Sequence, residues 1–222
     1  MAQSSLVKRM VAEGIGTFGL MFAGCGTLMV IERFPGSVPG AAVPVVFGAA
    51  VGAMIYTVGH ISGAHFNPAV TCGFAVVKRF PAREVIPYWA AQVAGAVAAI
   101  ALLWGILPEG THYGETIPSV SSFKAVLFET ALTFLLMFVI ISTATDKRAW
   151  GTMAGAAIGA TVMFNSYFGG PVTGASMNPA RSLAPALFHC DMDGLWIYLI
   201  GPVLGASLAA ILYESLRGDR ET

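Results

Sequence analysis

Charge is what this chain has least of. Asp, Glu, Lys and Arg make up 11% of its 222 residues, where a soluble domain carries about a quarter. That scarcity excludes a water-soluble globular protein. The few charges cancel to a formal net charge of zero, with a pI of about 6.9, so no basic surface is on offer to a nucleic acid. Cysteine is also rare. Cys25, Cys72 and Cys190 are odd in number and far apart, which supports neither a disulfide framework nor a metal knuckle. Cys25 and Cys72 sit in apolar surroundings and read as small core residues. No nucleophile stands beside a base, so the chain is not read as an enzyme, and neither a cofactor nor a metal is expected.

What the chain has in plenty is hydrocarbon. Hydrophobic residues reach 56% and the mean hydropathy is +0.73, the mark of an integral membrane protein in contact with lipid. Six apolar runs are long enough to span, at approximately Met10–Ile31, Ala41–Gly59, Ile86–Leu107, Phe123–Thr145, Trp150–Phe168 and Leu195–Leu216. No convincing small-residue cleavage site follows the polar stretch Met1–Arg9, so the first run is read as a retained span. One transmembrane domain over 1–222 is expected, without room for a separate soluble domain. Pro108–Ser122 reads as a polar outer loop holding Glu109, His112 and Glu115, with His112 simply solvated.

A short motif recurs inside these flanks. Gly63-Ala64-His65-Phe66-Asn67-Pro68-Ala69-Val70 is echoed by Gly174-Ala175-Ser176-Met177-Asn178-Pro179-Ala180-Arg181, and the triplets start 178 − 67 = 111 positions apart. Glu13-x-x-x-Thr17-Phe18-x-Leu20-Met21-Phe22 returns as Glu129-x-x-x-Thr133-Phe134-x-Leu136-Met137-Phe138, an offset of 129 − 13 = 116. Three spans per copy make the copies insert in opposite senses, an inverted repeat with halves of about 1–110 and 111–222. Asn is a favoured helix N-cap and Pro fits the first helical position, so each triplet reads as a helix start. After Pro68 about ten residues follow before Lys78-Arg79-Phe80-Pro81 stops the run, roughly 15 Å or half the hydrocarbon thickness. The expected fold class is all-α: six transmembrane helices plus two re-entrant half-helices whose N-termini meet at mid-membrane. Gly48/Gly52, Gly155/Gly159 and Gly201/Gly205 have the spacing that lets helices approach closely in lipid.

Basic residues orient the spans. Lys8, Arg9, Lys78, Arg79, Arg83, Lys147, Arg148, Arg217 and Arg220 fall on one side, against Arg33 and Lys124 on the other and Arg181 within the second motif. That bias places both termini in the cytoplasm.

Duplicated Asn-Pro-Ala triplets among six spans, with Arg181 directly after the second, resemble the aquaporin (major intrinsic protein) family over essentially the whole chain. Two longer stretches look like the nodulin-like intrinsic proteins of plants and their bacterial relatives. These are Met54-Ile55-Tyr56-x-Val58-Gly59-His60-Ile61-Ser62 running on into the first motif, and Gly170-Pro171-Val172-Thr173 running into the second and on to Ser182. The resemblance implies a right-handed bundle of six tilted helices and a homotetramer with one pore per subunit, set in lipid of the cell (inner or plasma) membrane. It also implies a passive channel that passes water and small uncharged solutes and excludes ions and protons.

In that resemblance the pore motifs are Asn67, Pro68, Ala69, Asn178, Pro179 and Ala180. The half-helix dipoles, each equivalent to roughly half a positive charge, repel cations and protons. The amides of Asn67 and Asn178 donate to a passing water or hydroxyl oxygen. Arg181, a charge in an apolar stretch, has to face a water-lined cavity; in the family this position belongs to the selectivity filter. Family spacing adds Phe47, twenty residues before Asn67, Ala175, six before Arg181, and Ser166, nine before Ala175. Strict water channels usually pair such a Phe with a histidine where this chain has Ser166, so the expected filter is wider and admits glycerol, with urea or undissociated metalloid acids as further candidates. Phe47 also replaces the tryptophan of many glycerol-conducting relatives. The alternative is a water-selective aquaporin.

Glu13 and Glu129 read either as proton-relay carboxylates or as acceptors for the backbone of the two loops; the resemblance favours loop support. His65 is expected to tie down the first loop and His60 to line the cytoplasmic vestibule. A secondary transporter is the competing class, since inverted repeats with broken helices also serve alternating access, yet no acidic cluster lies beside the triplets. A membrane-adhering junction protein is a third class, for which the short tails offer little.

Overall fold

A chain this apolar can satisfy its backbone in lipid by coiling it into helices, and helix is what the described residues form. The computed structural model describes residues 4–107, 112–145 and 151–217; Glu109, Lys147, Arg148, Trp150 and Arg220 lie outside them. The helices in order are α1 (Leu6–Arg33), α2 (Ala42–Ser62), α3 (Pro68–Val76), α4 (Val85–Ile106), α5 (Ser122–Thr145), α6 (Ala154–Thr173), α7 (Pro179–His189) and α8 (Leu195–Leu216), with single 3-10 turns at Ala82–Glu84 and Gly151–Met153. Six are long, while α3 and α7 have 9 and 11 residues, enough for about half a bilayer at ~1.5 Å per residue.

Among the described residues, five stretches are long and apolar enough to cross a membrane: α1, α2, Ala82–Ile106 around α4, α5 and α8. The fifth expected run, Trp150–Phe168, now α6, misses that composition because the helix's 20 residues include four glycines, Asn165, Ser166 and Pro171. Its place in the bundle is that of α2 in the other half. Both helices also run further than expected, α2 to Ser62 and α6 to Thr173, straight through Pro171. The true stops are left-handed glycines that no side chain could replace cheaply. Gly63 has φ 91° and Gly174 φ 80°, and their N–H groups bond back to the Gly59 and Gly170 carbonyls at 2.9 Å.

Packing follows a twofold pattern. Helix α1 packs on α2 and α4 as α5 packs on α6 and α8, while α3 leans on α8 and α7 on α4. Each short helix therefore rests on the last long helix of the opposite half. At the α2–α6 crossing, a Cβ on Gly48 would come 2.4 Å from the Gly159 carbonyl oxygen, and one on Gly159 would come 2.6 Å from that of Gly48. The α5–α8 and α1–α4 crossings are as tight, at Gly205 against Thr130 and Gly95 against Gly14, 2.2 Å each.

The outer surface is as apolar as the core. Met21, Cys25, Met29 and Ile100 are fully buried, yet Ile15, Leu102, Trp104, Leu127 and Leu208 are 46–54% exposed. Helices apolar on both faces suit a position between a packed interior and hydrocarbon. Gly48→Ala is expected to destabilise the protein by about 1–3 kcal/mol through overpacking, whereas Gly105→Ala, where an added Cβ meets nothing within 4 Å, should cost nothing. Thermal unfolding in detergent micelles checks this; equal melting temperatures for the two variants would count against the tight crossing.

Candidate functional site

The two half-helices start from asparagines in extended conformation. Asn67 Oδ1 accepts from the Ala69 N–H at 2.8 Å and Asn178 Oδ1 from the Ala180 N–H at 3.0 Å, with Pro68 and Pro179 at the first helical positions. The other end of each amide crosses to the opposite half. Asn67 Nδ2 donates to the Met177 carbonyl at 2.6 Å and Asn178 Nδ2 to the Phe66 carbonyl at 2.9 Å. An amide nitrogen carries two hydrogens. One of each is thus engaged in joining the halves, which leaves one per asparagine for a solute rather than the whole group expected from the motif alone.

Between α2 and α3 the chain leaves helical geometry inside the bundle, with Ala64 at φ 51° and Phe66 at φ 50°; Ala175 and Met177, at 44° and 54°, repeat this before α7. The N–H groups so released point at buried carboxylates. Glu13 Oε1 accepts from Ser62 Oγ (2.7 Å) and the His65 N–H (2.9 Å), and Oε2 from the Phe66 N–H (2.6 Å) and Gln92 Nε2 (2.7 Å). Glu129 Oε1 accepts from Thr173 Oγ1 (2.7 Å) and the Ser176 N–H (2.9 Å), and Oε2 from the Met177 N–H (2.8 Å). Both side chains are acceptors throughout, which is what an ionised carboxylate can do. Tyr88 and Tyr198 complete the frame by donating to the Ser62 and Thr173 carbonyls at 2.8 and 2.7 Å.

Across a trans peptide the C=O points away from the following N–H. With the N–H groups of 65, 66, 176 and 177 turned to the glutamates, the carbonyls of Ala64, His65, Ala175 and Ser176 face the other way. That way lies a cavity of about 670 Å³, which these four residues line together with Asn67 and Asn178. Its walls are otherwise largely apolar, among them Val51, Ile55, Val70, Leu136, Ile140 and Val162, and Glu32, His112 and Glu115 border it as well.

Phe47, Ser166, Ala175 and Arg181 all border this cavity. Arg181 is 4% exposed; its Nη1 donates to the Gly114 carbonyl at 2.6 Å, and its guanidinium carbon stands 5.3 Å from the Phe47 ring centre. Gly24 makes room for that ring, since a Cβ there would fall 2.1 Å from it. Of the two triplets only the asparagines reach the cavity. Pro68, Ala69, Pro179 and Ala180 are packed inside, with both alanines at zero exposure.

The two histidines part company. His65 has Nδ1 3.1 Å from Thr71 Oγ1 and its ring among Phe74, Phe80 and Tyr88, with centres 4.8–5.2 Å away. It also lines the cavity. His60 is exposed and is not among the residues that line it. Ile55, Val58 and Ser62 take the inward positions over those turns of α2, leaving His60 outside.

The pattern of one family, described as major intrinsic protein, matches residues 1–213. This chain belongs to the major intrinsic protein family. It is 47% identical to nodulin-26 of Glycine max over 95% of this chain and 78% of that one. With aquaporin NIP1-3 of Oryza sativa subsp. japonica the identity is 48%, over 95% and 74%. The fold is that of the aquaglyceroporin from Plasmodium falciparum, with a TM-score of 0.86 over 96% of this chain and 97% of that one at 24% identity. Major intrinsic proteins are passive membrane channels for water and small solutes rather than enzymes, and this chain is an integral membrane channel of that kind.

Several residues of this channel escape a reading of the motifs. Gln92 donates to Glu13 and, at 3.1 Å, to Thr71; a lone amide within apolar α4 was the available signal. Asn165 ties α6 to the Leu132 carbonyl at 2.9 Å and touches Met177 Sδ at 3.2 Å. The segment after residue 111 is also more than a solvated loop. Gly114 anchors Arg181, Thr116 Oγ1 donates to Ser182 Oγ at 2.7 Å, and Glu115 meets His189 at 2.6 Å. Nothing local in those residues announces such partners.

The carboxylates generate a graded prediction. Each buried donor left unpaired costs about 1–3 kcal/mol. Glu13→Gln replaces an oxygen that serves two donors, whereas Glu129→Gln can put its NH₂ where a single donor stood. Both variants should lower the melting temperature in micelles, Glu13→Gln the more. Equal or reversed losses would contradict the donor count.

Proposed function

We propose that this channel passes water and glycerol, and excludes ions and protons, through a constriction made by Phe47, Ser166, Ala175 and Arg181. The observation that carries this reading is that all four line one cavity with Asn67 and Asn178. Ser166 and Ala175 are small and leave width beside the Phe47 wall, and Arg181 and Ser166 supply hydrogen bonds to a polyol. The backbone carbonyls opposite the glutamates accept from the solute's hydroxyls, while one free hydrogen on each of Asn67 and Asn178 donates. The N-terminal ends of α3 and α7 put roughly half a positive charge each at the centre, which opposes cations and protons. Glu13, Glu129 and His65 serve as loop supports in this scheme: the two carboxylates accept from the loop N–H groups, and His65 Nδ1 is held against Thr71 Oγ1. Urea and undissociated metalloid acids fit the same chemistry.

The same reading places both termini in the cytoplasm, on the excess of basic residues at that end, and the protein in the cell (inner or plasma) membrane. It treats residues 1–222 as a single channel domain of two inverted repeats, about 1–110 and 111–222, assembled as a homotetramer with one pore per subunit. A water-selective pore is the second reading, favoured by the packing of Arg181 against Phe47.

Stopped-flow light scattering on proteoliposomes separates the two. Fast shrinkage under a non-permeant gradient, followed by fast re-swelling under glycerol, is the outcome expected. Shrinkage without glycerol re-swelling would leave the water-selective reading. Ser166→His should suppress glycerol far more than water, and equal loss of both would sink its assignment to the constriction. Arg181→Val should raise proton and cation leak, measured with a pH-sensitive dye inside the vesicles; an unchanged leak would remove Arg181 from the barrier.

A further inference from the structure

We propose that the cavity mouth near Arg181 holds a divalent transition-metal ion, with Glu115, His189 and Asp191 as ligands and His112 within reach as a fourth. One ligand atom from each of the first three lies within 4.8 Å of the others. The His112 ring stands 5.2 Å from that of His189, inclined at 74°. The backbone explains the gathering. Helix α7 ends at His189, Cys190 turns left-handed at φ 58°, and the Asp191 N–H bonds back to the Ala186 carbonyl at 3.2 Å, which returns Asp191 to His189's side. Facing it, the Glu115 N–H bonds to the His112 carbonyl at 2.9 Å in a tight turn.

The donor set indicates the class of ion. Imidazole with carboxylates suits zinc, nickel or copper, whereas calcium and magnesium prefer oxygen alone. Among the described residues, the ion-pair partner of Glu115 is His189 and that of Glu32 is His112, with no Lys or Arg on either. Arg181 is turned to Gly114 and Phe47 instead. No fixed cation therefore occupies the place of the ion. His189 Nδ1 and Glu115 Oε2 are 2.6 Å apart, and two metal bonds of ~2.1 Å at a tetrahedral angle would hold them ~3.4 Å apart. His189, at a helix end and 35% exposed, has room to open by that difference.

His112 and Glu115 line the cavity, while Asp191 and Glu115 line a small neighbouring recess. An ion bound here thus sits at the cavity's rim, and its charge and waters narrow the entrance and slow permeation. The binding claim rests on the cluster; the effect on flux rests also on the channel reading. Full-length protein in detergent is titrated with zinc chloride by calorimetry, and stopped-flow water flux is recorded on proteoliposomes with and without zinc. Saturable binding, slower flux reversed by EDTA, and an apparent affinity weaker by roughly tenfold or more in His189→Ala, with its zinc-free flux retained, are expected. Absence of saturable binding, or equal affinity in His189→Ala, overturns the site. Binding that leaves flux untouched overturns the blocking role. Zinc binding by a protein that passes no water even without zinc leaves the site standing and overturns the channel reading.

Discussion

A backbone N–H without a partner costs several kcal/mol in hydrocarbon, and a helix that starts half-way across a bilayer exposes such groups where water is scarce. Two buried carboxylates solve this. Glu13 and Glu129 gather the N–H groups of the two loops, and the glutamates themselves become tolerable because every contact they make is a donor. Turning the N–H groups inward turns the carbonyls outward, so the device that stabilises each loop also lays a row of acceptors along the cavity. Support and lining are one arrangement.

The crossed asparagines bind the two halves into one object. Each caps its own short helix with an oxygen and holds the other half's loop with a nitrogen. Neither half can form this pair alone, nor find the helix that its short segment leans on, since α3 rests on α8 and α7 on α4. The glycine contacts at the α2–α6, α1–α4 and α5–α8 crossings bring backbones near enough for these reaches to close.

Twofold symmetry is broken where the two ends of the cavity differ. His65 occupies among aromatic rings the place that Ser176 fills with a hydroxyl bonded to Ser182. Gln92 supports Glu13, but its counterpart in α8, ten dozen residues on less ten, is Pro202, which has no donor to offer Glu129. Only the second half carries an arginine after its triplet, and that arginine takes its carbonyl anchor, Gly114, from the connection between halves. The polar mouth is thus assembled from elements that no single repeat contains.

Much of this was legible in the residue order. Composition determined a membrane protein, Asn-Pro determined two capped half-helices, and the recurrence of Glu13 and Asn67 as Glu129 and Asn178 determined an inverted repeat, because capping and hydropathy act between near neighbours. The ends of α2 and α6 were misjudged because Gly59 and Pro171 look like breakers, while the actual stops depend on the φ that the next turn demands of Gly63 and Gly174. His60 and His65 could not be told apart by spacing; His60 stays on the last turn of α2, while the left-handed turn at Gly63 carries His65 into the loop that borders the cavity. Gln92, Asn165 and Gly114 gained their roles only from partners 12 to 79 positions away, and the same holds for the crossed amide bonds, which span 110 and 112. Such contacts exist only once the helices have packed. The sequence by itself determined what each segment is, and the tertiary structure decided what each segment touches.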